Sequence, residues 1–387
     1  MTLPGGPARR GPRRRVALVF GGRSAEHEIS VVSAGSVLAA LDPERYDVLT
    51  IGIDKAGRWH RLPGLPGPVE GGGALPSVRG DQGPGIALSR ERGDAALVGE
   101  DGIREEIDVV FPILHGPYGE DGTIQGMLEL AGVPYVGAGV LASALGMDKD
   151  IQKVVFAAAG LPVVPYLPVP EREWEDDRDG VEARAAGLGL PLFVKPATLG
   201  SSVGISKVKK LDELAGAMEE ALSYARKAVI ERAMEGAREI ECAVLGNDDP
   251  VASVPGEILP GAEWYDYRAK YLDQGTTLEI PAALPDAVAE AVQRMSIAAF
   301  RAIEGAGMAR VDFFYREPDE VVVNEINTIP GFTTVSMYPK LWEASGLSYP
   351  ELVDRLVELA IERHHRERKR GRVPDEDPPS ARNTPPP

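Results

Sequence analysis

Cysteine is almost absent. Cys242 is the only one in 387 residues, which rules out an internal disulfide and fits a reducing cytosol. Long apolar runs are missing as well. None approaches the length that spans a membrane, so no membrane insertion is expected. Arg9, Arg10 and Arg13 to Arg15 do precede the apolar residues 16–20, but that run is too short for a secretion signal and Gly21-Gly22 follows at once. The reading is an untargeted cytoplasmic protein. Positive charge is in deficit: 42 Lys and Arg stand against 59 Asp and Glu, and the net charge of −17 argues against nucleic-acid binding by the body of the chain. The common phosphate loop, G-x-x-x-x-G-K-[ST], occurs nowhere, and no G-x-G-x-x-G follows the first apolar run.

What is present reads as α/β. The length and the 43% hydrophobic content suit two or three domains with a sizeable core. Residues 1–14 and 369–387 are rich in Pro and charge without periodicity and read as disordered tails. Residues 16–20 form a buried strand, residues 21–27 turn into a helix reaching about Leu41, and residues 46–53 form the next strand, a βαβ unit. Residues 61–105, rich in Gly and Pro, read as an irregular insertion. Residues 107–114 are another strand. Ile124, Met127, Leu128 and Ala131 then give a helix an apolar face. Met147-Asp-Lys149 falls on a helix running to about Ala159, and residues 171–182 form an acidic loop. Residues 191–196 and 228–232 are strands, and residues 287–304 a helix. The basic run 363–370 reads as a solvated end of the last helix, where cations suit the helix dipole.

The chemistry concentrates in residues 310–327. Two β-branched, aromatic-rich runs flank Glu-Pro-Asp-Glu, a turn composition. A hairpin centred between Pro318 and Asp319 places Asp312 opposite Glu325, with Asn327 two residues on and facing the same way. Opposed carboxylates repel, and a cation between them removes the cost. Oxygen-only ligands suit Mg²⁺. An exposed acidic hairpin would show the same pattern. A second signal is Gly200-Ser201-Ser202-Val-Gly204 after a strand carrying Lys195. Small residues let backbone N–H groups approach an anion, the hydroxyls add donors, and the lysine supplies a point charge for a phosphate. Glu26 and Glu28, at the start of the first helix, suit either helix capping or an ammonium group.

Several motifs in order carry a resemblance: Gly-Gly-Arg-Ser-Ala-Glu-His-Glu-Ile-Ser30, His115-Gly-Pro-Tyr-Gly-Glu-Asp-Gly, Met147-Asp-Lys149, Val194-Lys-Pro196 with the Gly/Ser loop, Tyr265-Asp-Tyr267 with Ala-Lys-Tyr271, Arg310-Val-Asp312 and Asn324-Glu-Ile-Asn-Thr-Ile-Pro-Gly331. Over roughly residues 15–365 the chain resembles the D-alanine–D-alanine ligases of the ATP-grasp superfamily. The resemblance implies a three-domain ATP-grasp architecture with a doubly wound N-terminal domain (15–140), a central domain (141–231) and a C-terminal domain (232–368). ATP would lie between the last two. It further implies ATP-dependent ligation of two D-alanine molecules through a D-alanyl phosphate, for peptidoglycan precursor synthesis, with two Mg²⁺ (or Mn²⁺) and a homodimer through the first domain.

Carried over by position, Lys149 and Lys195 meet the ATP phosphates, and Ser201 and Ser202 close over them. Glu231 sits at the adenine-side hinge and Glu239 on the ribose; the segment between them departs from the family pattern in carrying Arg232 and an extra residue before Glu239. Asp312, Glu325 and Asn327 match the metal ligands. Glu26 matches the carboxylate that binds the first substrate's ammonium, assisted by Ser201 and Tyr271, with His115 beside it. Arg310 and the Gly331 backbone match the groups that stabilise the transition state, and Ser336 the one that binds the second substrate's carboxylate. Residues 257–274, carrying Lys270, form the lid. Two other readings remain at this point: a related ATP-grasp ligase joining a carboxylate to another amine or a hydroxy acid, and a nucleotide-binding regulator without catalysis.

Overall fold

A computed structural model describes residues 13–67, 75–89, 95–200, 203–259 and 277–370. Ser201, Ser202, Lys270 and Tyr271 lie outside the described residues, as do most of the expected lid and the tails.

The first sheet has the order β3-β2-β1-β7, built from β1 (Arg14–Gly21), β2 (Tyr46–Ile53), β3 (Trp59–Leu62) and β7 (Val109–Ile113). β1 runs parallel to both neighbours. Val16 to Phe20 are all wholly buried, as a parallel strand covered on both faces requires. The helix His27–Ala40 makes the β1–β2 crossover. The insertion is more regular than its composition suggests. β4 (Ile86–Leu88), β5 (Ala96–Gly99) and β6 (Arg104–Glu106) form a small antiparallel sheet. Its strands are too short for an alternation to register against the surrounding Gly and Pro. In the helix Thr123–Ala131, Ile124 and Leu128 are buried, but Met127 faces out.

The second sheet, β10-β9-β11-β8, is antiparallel throughout: β8 (Tyr166–Pro170), β9 (Leu192–Pro196), β10 (Ser206–Val208) and β11 (Lys227–Arg232). The expected acidic loop is two helices, Glu171–Asp176 and Arg178–Leu188. Asp177 divides them and caps the second by accepting from the Gly180 amide. Trp174 and Val181 point inward to join Val194 and Ile230 in the core, so the charges are only the outer face.

The third sheet runs β15-β14-β12-β16-β17, with β13 (Val251–Ala252) beside β12. Its other strands are β12 (Arg238–Gly246), β14 (Gly256–Leu259), β15 (Thr277–Glu279), β16 (Gly307–Arg316) and β17 (Glu320–Asn327). Period-two alternation gives this sheet two different faces. Ile240, Cys242, Val311, Phe313 and Val323 join the core with the helix Asp286–Ala302, while Glu239, Glu241, Arg310 and Asp312 project from the other side.

The helix Tyr349–Arg370 returns to the first sheet. Leu352, Val353, Leu356 and Val357 share a core with Leu18, Phe20 and Phe111. Arg45 and Tyr46 both donate to the Asp354 carboxylate. Arg363 donates to the Tyr135 carbonyl at 3.2 Å and lies 4.4 Å over that ring. The first residue of the basic run is therefore a docking group rather than a solvated charge.

Candidate active site

The β16–β17 hairpin sets up the site. Asp312 does face Glu325, but the route differs from the sequence reading. Arg316 pairs with Glu320 and Phe313 with Val323, so the hairpin is centred on Pro318. A register shift between Asp312 and Phe313 leaves Asn324 as an extra residue, and the bulge restores the Asp312–Glu325 pair. One helix satisfies the disturbed strand. Gln152 accepts from the Ile326 amide at 2.9 Å, and Lys153 donates to the Asn324 carbonyl at 3.0 Å. The Lys149 ammonium, one turn earlier on the same face, lies 2.9 Å from Glu325. That helix is Lys149–Ala158, and it does not continue unbroken from residue 147. Asp148 leaves helical geometry and caps the new start by accepting from the Asp150 and Ile151 amides.

Both carboxylates are neutralised by protein cations. Arg310 grips Asp312 with two hydrogen bonds of 2.7 Å, and Asn327 donates to Asp312 at 3.0 Å. Glu241, on the neighbouring strand β12, lies 3.0 Å from the same guanidinium. Burial opposes the charge on Arg310 and Lys149, but the facing carboxylates outweigh it and hold both protonated. Asp312, Glu325 and Asn327 bring hard oxygen donors together, and that donor chemistry fits Mg²⁺.

Lys195 and Glu231 come together on neighbouring strands, 2.7 Å apart. Glu231 is buried and also lies 3.1 Å from Lys153. Burial raises its pKa, but the two lysines outweigh that and bring it down to about 2. The carboxylate is consumed as a counterion between the two lysines, and the Glu231 main chain pairs with Phe193 in the sheet. Lys149, Lys195, Glu231, Glu239, Asp312 and Glu325 line one cavity of about 260 Å³.

Glu26, His115, Arg310, Asn327, Gly331 and Ser336 line a second, of about 340 Å³. Gly200 and Glu241 border both, so the two adjoin. The Glu26 carboxylate points at Gly116 and Gly200: a Cβ on either would come within 2.8 or 3.5 Å of it. His115 is fixed by the Ile329 carbonyl at Nδ1 and the Ser33 hydroxyl at Nε2, each 3.2 Å away. Because a carbonyl only accepts, Nδ1 carries the proton and Nε2 accepts. Burial lowers the His115 pKa despite Glu26, so the ring is neutral. Ser336 precedes the helix Met337–Ala344, and its hydroxyl accepts from the Thr333 amide at 3.1 Å.

Two acidic groups escaped the sequence reading. Glu120 is half-buried, takes the Gly116 amide at 2.6 Å and the Ile329 amide at 3.3 Å, and lines the second cavity. Burial and then Glu26 push its pKa up to about 8. Nothing local distinguishes it from its neighbour Asp121. Glu241 could have been found, since Arg-Glu-Ile-Glu-Cys alternates and places it beside Glu239, away from the core.

Residues 15–138 match the family model "D-ala D-ala ligase N-terminus", and residues 155–358 match "D-ala D-ala ligase C-terminus". A protein of Streptomyces coelicolor named D-alanine--D-alanine ligase is 52% identical over 373 residues, covering 90% of this chain and 93% of that one. Among solved structures, the D-alanine-D-alanine ligase from Coxiella burnetii superposes with a TM-score of 0.79 at 40% identity, over 93% of this chain and 97% of that one. The VanG D-Ala:D-Ser ligase from Enterococcus faecalis gives 0.78 at 33%, over 90% and 99%. With both family models and relatives of this identity spanning nine-tenths of its length, the chain belongs to the D-alanine–D-alanine ligase family.

Proposed function

We propose that this chain joins two D-alanine molecules with ATP through a D-alanyl phosphate, supplying a peptidoglycan precursor in the cytoplasm as a homodimer. The supporting observation is the junction of the two cavities at Gly200 and Glu241, with phosphate-type cations on one side and amino-acid-type groups on the other. The units are 15–140 for the first substrate, 141–231 and 232–368 for the nucleotide; the expected tails are each shortened, since Arg14 already belongs to β1 and the last helix runs to Arg370.

A carboxylate does not acylate an amine, because its leaving group would be oxide. Glu26 holds the first substrate's ammonium and thereby aims its carboxylate at the γ-phosphorus. A carboxylate oxygen forms the new P–O bond as the β–γ bridge breaks and ADP departs. Lys149 and Lys195 neutralise the phosphates, and positioning supplies most of the rate. Two Mg²⁺ (or Mn²⁺) held by Asp312, Glu325 and Asn327 would add charge neutralisation there. Ser336, at a helix start, holds the second substrate's carboxylate. Its amine attacks the acyl carbon, phosphate leaves, and the nitrogen loses a proton. Arg310 and the Gly331 amide meet the developing oxyanion. Ser201, Ser202, Lys270 and Tyr271 belong to the segments that exclude water.

The intermediate is tested by oxygen transfer. With D-alanine labelled by ¹⁸O in the carboxylate, one label must appear in inorganic phosphate. Unlabelled phosphate alongside dipeptide would rule out an acyl phosphate.

A further inference from the structure

Lys153 has no part in the scheme above, yet its ammonium is fully buried between the nucleotide site and the hairpin. A buried cation persists only where its partners offset the lost hydration. Burial, and then the neighbouring Lys195, lower the Lys153 pKa, and among the described residues three contacts favour its charged form: the Asn324 carbonyl at 3.0 Å, the Glu231 carboxylate at 3.1 Å and the face of Tyr166 at 5.9 Å. Glu231 is thus shared. Its other oxygen accepts from Lys195 at 2.7 Å.

The charges explain the arrangement. Two lysines and one glutamate leave one positive charge in surplus. Lys153 is walled in, while Lys195 lines the nucleotide cavity, so the surplus is expressed at Lys195. Without Lys153, Glu231 would neutralise Lys195 alone. The same ammonium braces the bulge carbonyl of Asn324, next to Glu325.

We propose that Lys153 is a positioning residue of the nucleotide site. It acts through Glu231 to keep Lys195 aimed and electrostatically available to a nucleotide phosphate. The inference rests on the nucleotide reading above.

Binding of Mg·ADP, followed by calorimetry, tests it. Lys153→Met should weaken binding about tenfold, and Lys153→Arg, which keeps the charge, should stay within about threefold of the unmodified protein. In a Glu231→Gln background, Lys153→Met should change affinity less than about threefold, because the group it acts through is gone. No binding to the unmodified protein would overturn the nucleotide reading and this proposal with it. Intact binding that Lys153→Met leaves unchanged would overturn the proposal alone, as would a full loss that persists in the Glu231→Gln background. Should Lys153→Met lack a cooperative thermal transition, Lys153→Arg decides, and a tenfold loss there would refute the charge argument.

Discussion

Asp312 and Glu325 face each other across β16 and β17, and each is held by a different protein cation: Asp312 by Arg310 at 2.7 Å, Glu325 by Lys149 at 2.9 Å. A like-charged pair in a sheet is tolerated only with such compensation. The two cations come from different elements, the β16 strand and the helix Lys149–Ala158. Fold and candidate chemistry therefore meet at one point.

Glu325→Gln should cost far more activity than stability. The substitution removes a proposed metal ligand and also relieves the carboxylate repulsion, while Lys149 keeps its hydrogen bond to the Leu199 carbonyl at 3.1 Å. We expect kcat/KM to fall at least about 100-fold, near 3 kcal/mol, with the metal-free unfolding midpoint within a few degrees of the unmodified protein. Activity retained alongside a large thermal loss would refute the metal assignment.

Glu120 predicts a pH dependence. Its folded pKa, about 8, lies above the ordinary 4.5, so the folded state binds the proton more tightly. That contribution to stability is full below about 4.5 and is lost as pH rises toward 8, with a slope of at most about 1.4 kcal/mol per pH unit. Glu231 has the opposite sign: its contribution is present above 4.5 and is lost as pH falls toward 2. Glu120→Gln should flatten the decline in unfolding free energy between pH 5 and 8, read by urea titration. An unchanged slope would show that Glu120 is ionised in the folded protein.

Phe332 couples packing to the site. It is wholly buried one residue after Gly331, with ring centroids of Phe111, Tyr338 and Tyr349 at 6.2, 5.7 and 5.6 Å. Phe332→Ala should destabilise by about 3–5 kcal/mol, and the loosened Gly331 amide should lower kcat more than it raises KM for ATP. Denaturant unfolding with steady-state kinetics checks both.

The nucleophile is a separate question. The resemblance associates ester-forming ligases with a residue other than tyrosine, often histidine, at the position of Tyr271. A protonated imidazole would repel an incoming ammonium, whereas tyrosine is neutral. With equal D-lactate and D-alanine at pH 7.5, the amide should dominate. Comparable ester and amide yields would overturn this reading of Tyr271.

Much of this was legible in the sequence, though not always for the right reason. The Asp312–Glu325 pair came from a hairpin centred half a residue too late, and the bulge at Asn324 supplied the compensating shift. A bulge has no local signal here, because its freed groups are satisfied by Gln152 and Lys153, far off in the chain. The Lys195–Glu231 pair joins two strands, so spacing along the chain could not reveal that the glutamate is consumed as a counterion. The break at Asp148 was visible in principle, as an aspartate before a helical run, but the apolar pattern on both sides masked it. The order of the motifs carried the family, and no single motif did.

The most direct test supplies the protein with ATP, Mg²⁺ and D-alanine and follows ADP release while the products are identified by mass. ADP and phosphate release that depends on D-alanine, with D-alanyl-D-alanine as the product, is the predicted result. ADP release indifferent to D-alanine, or none at all, would contradict it.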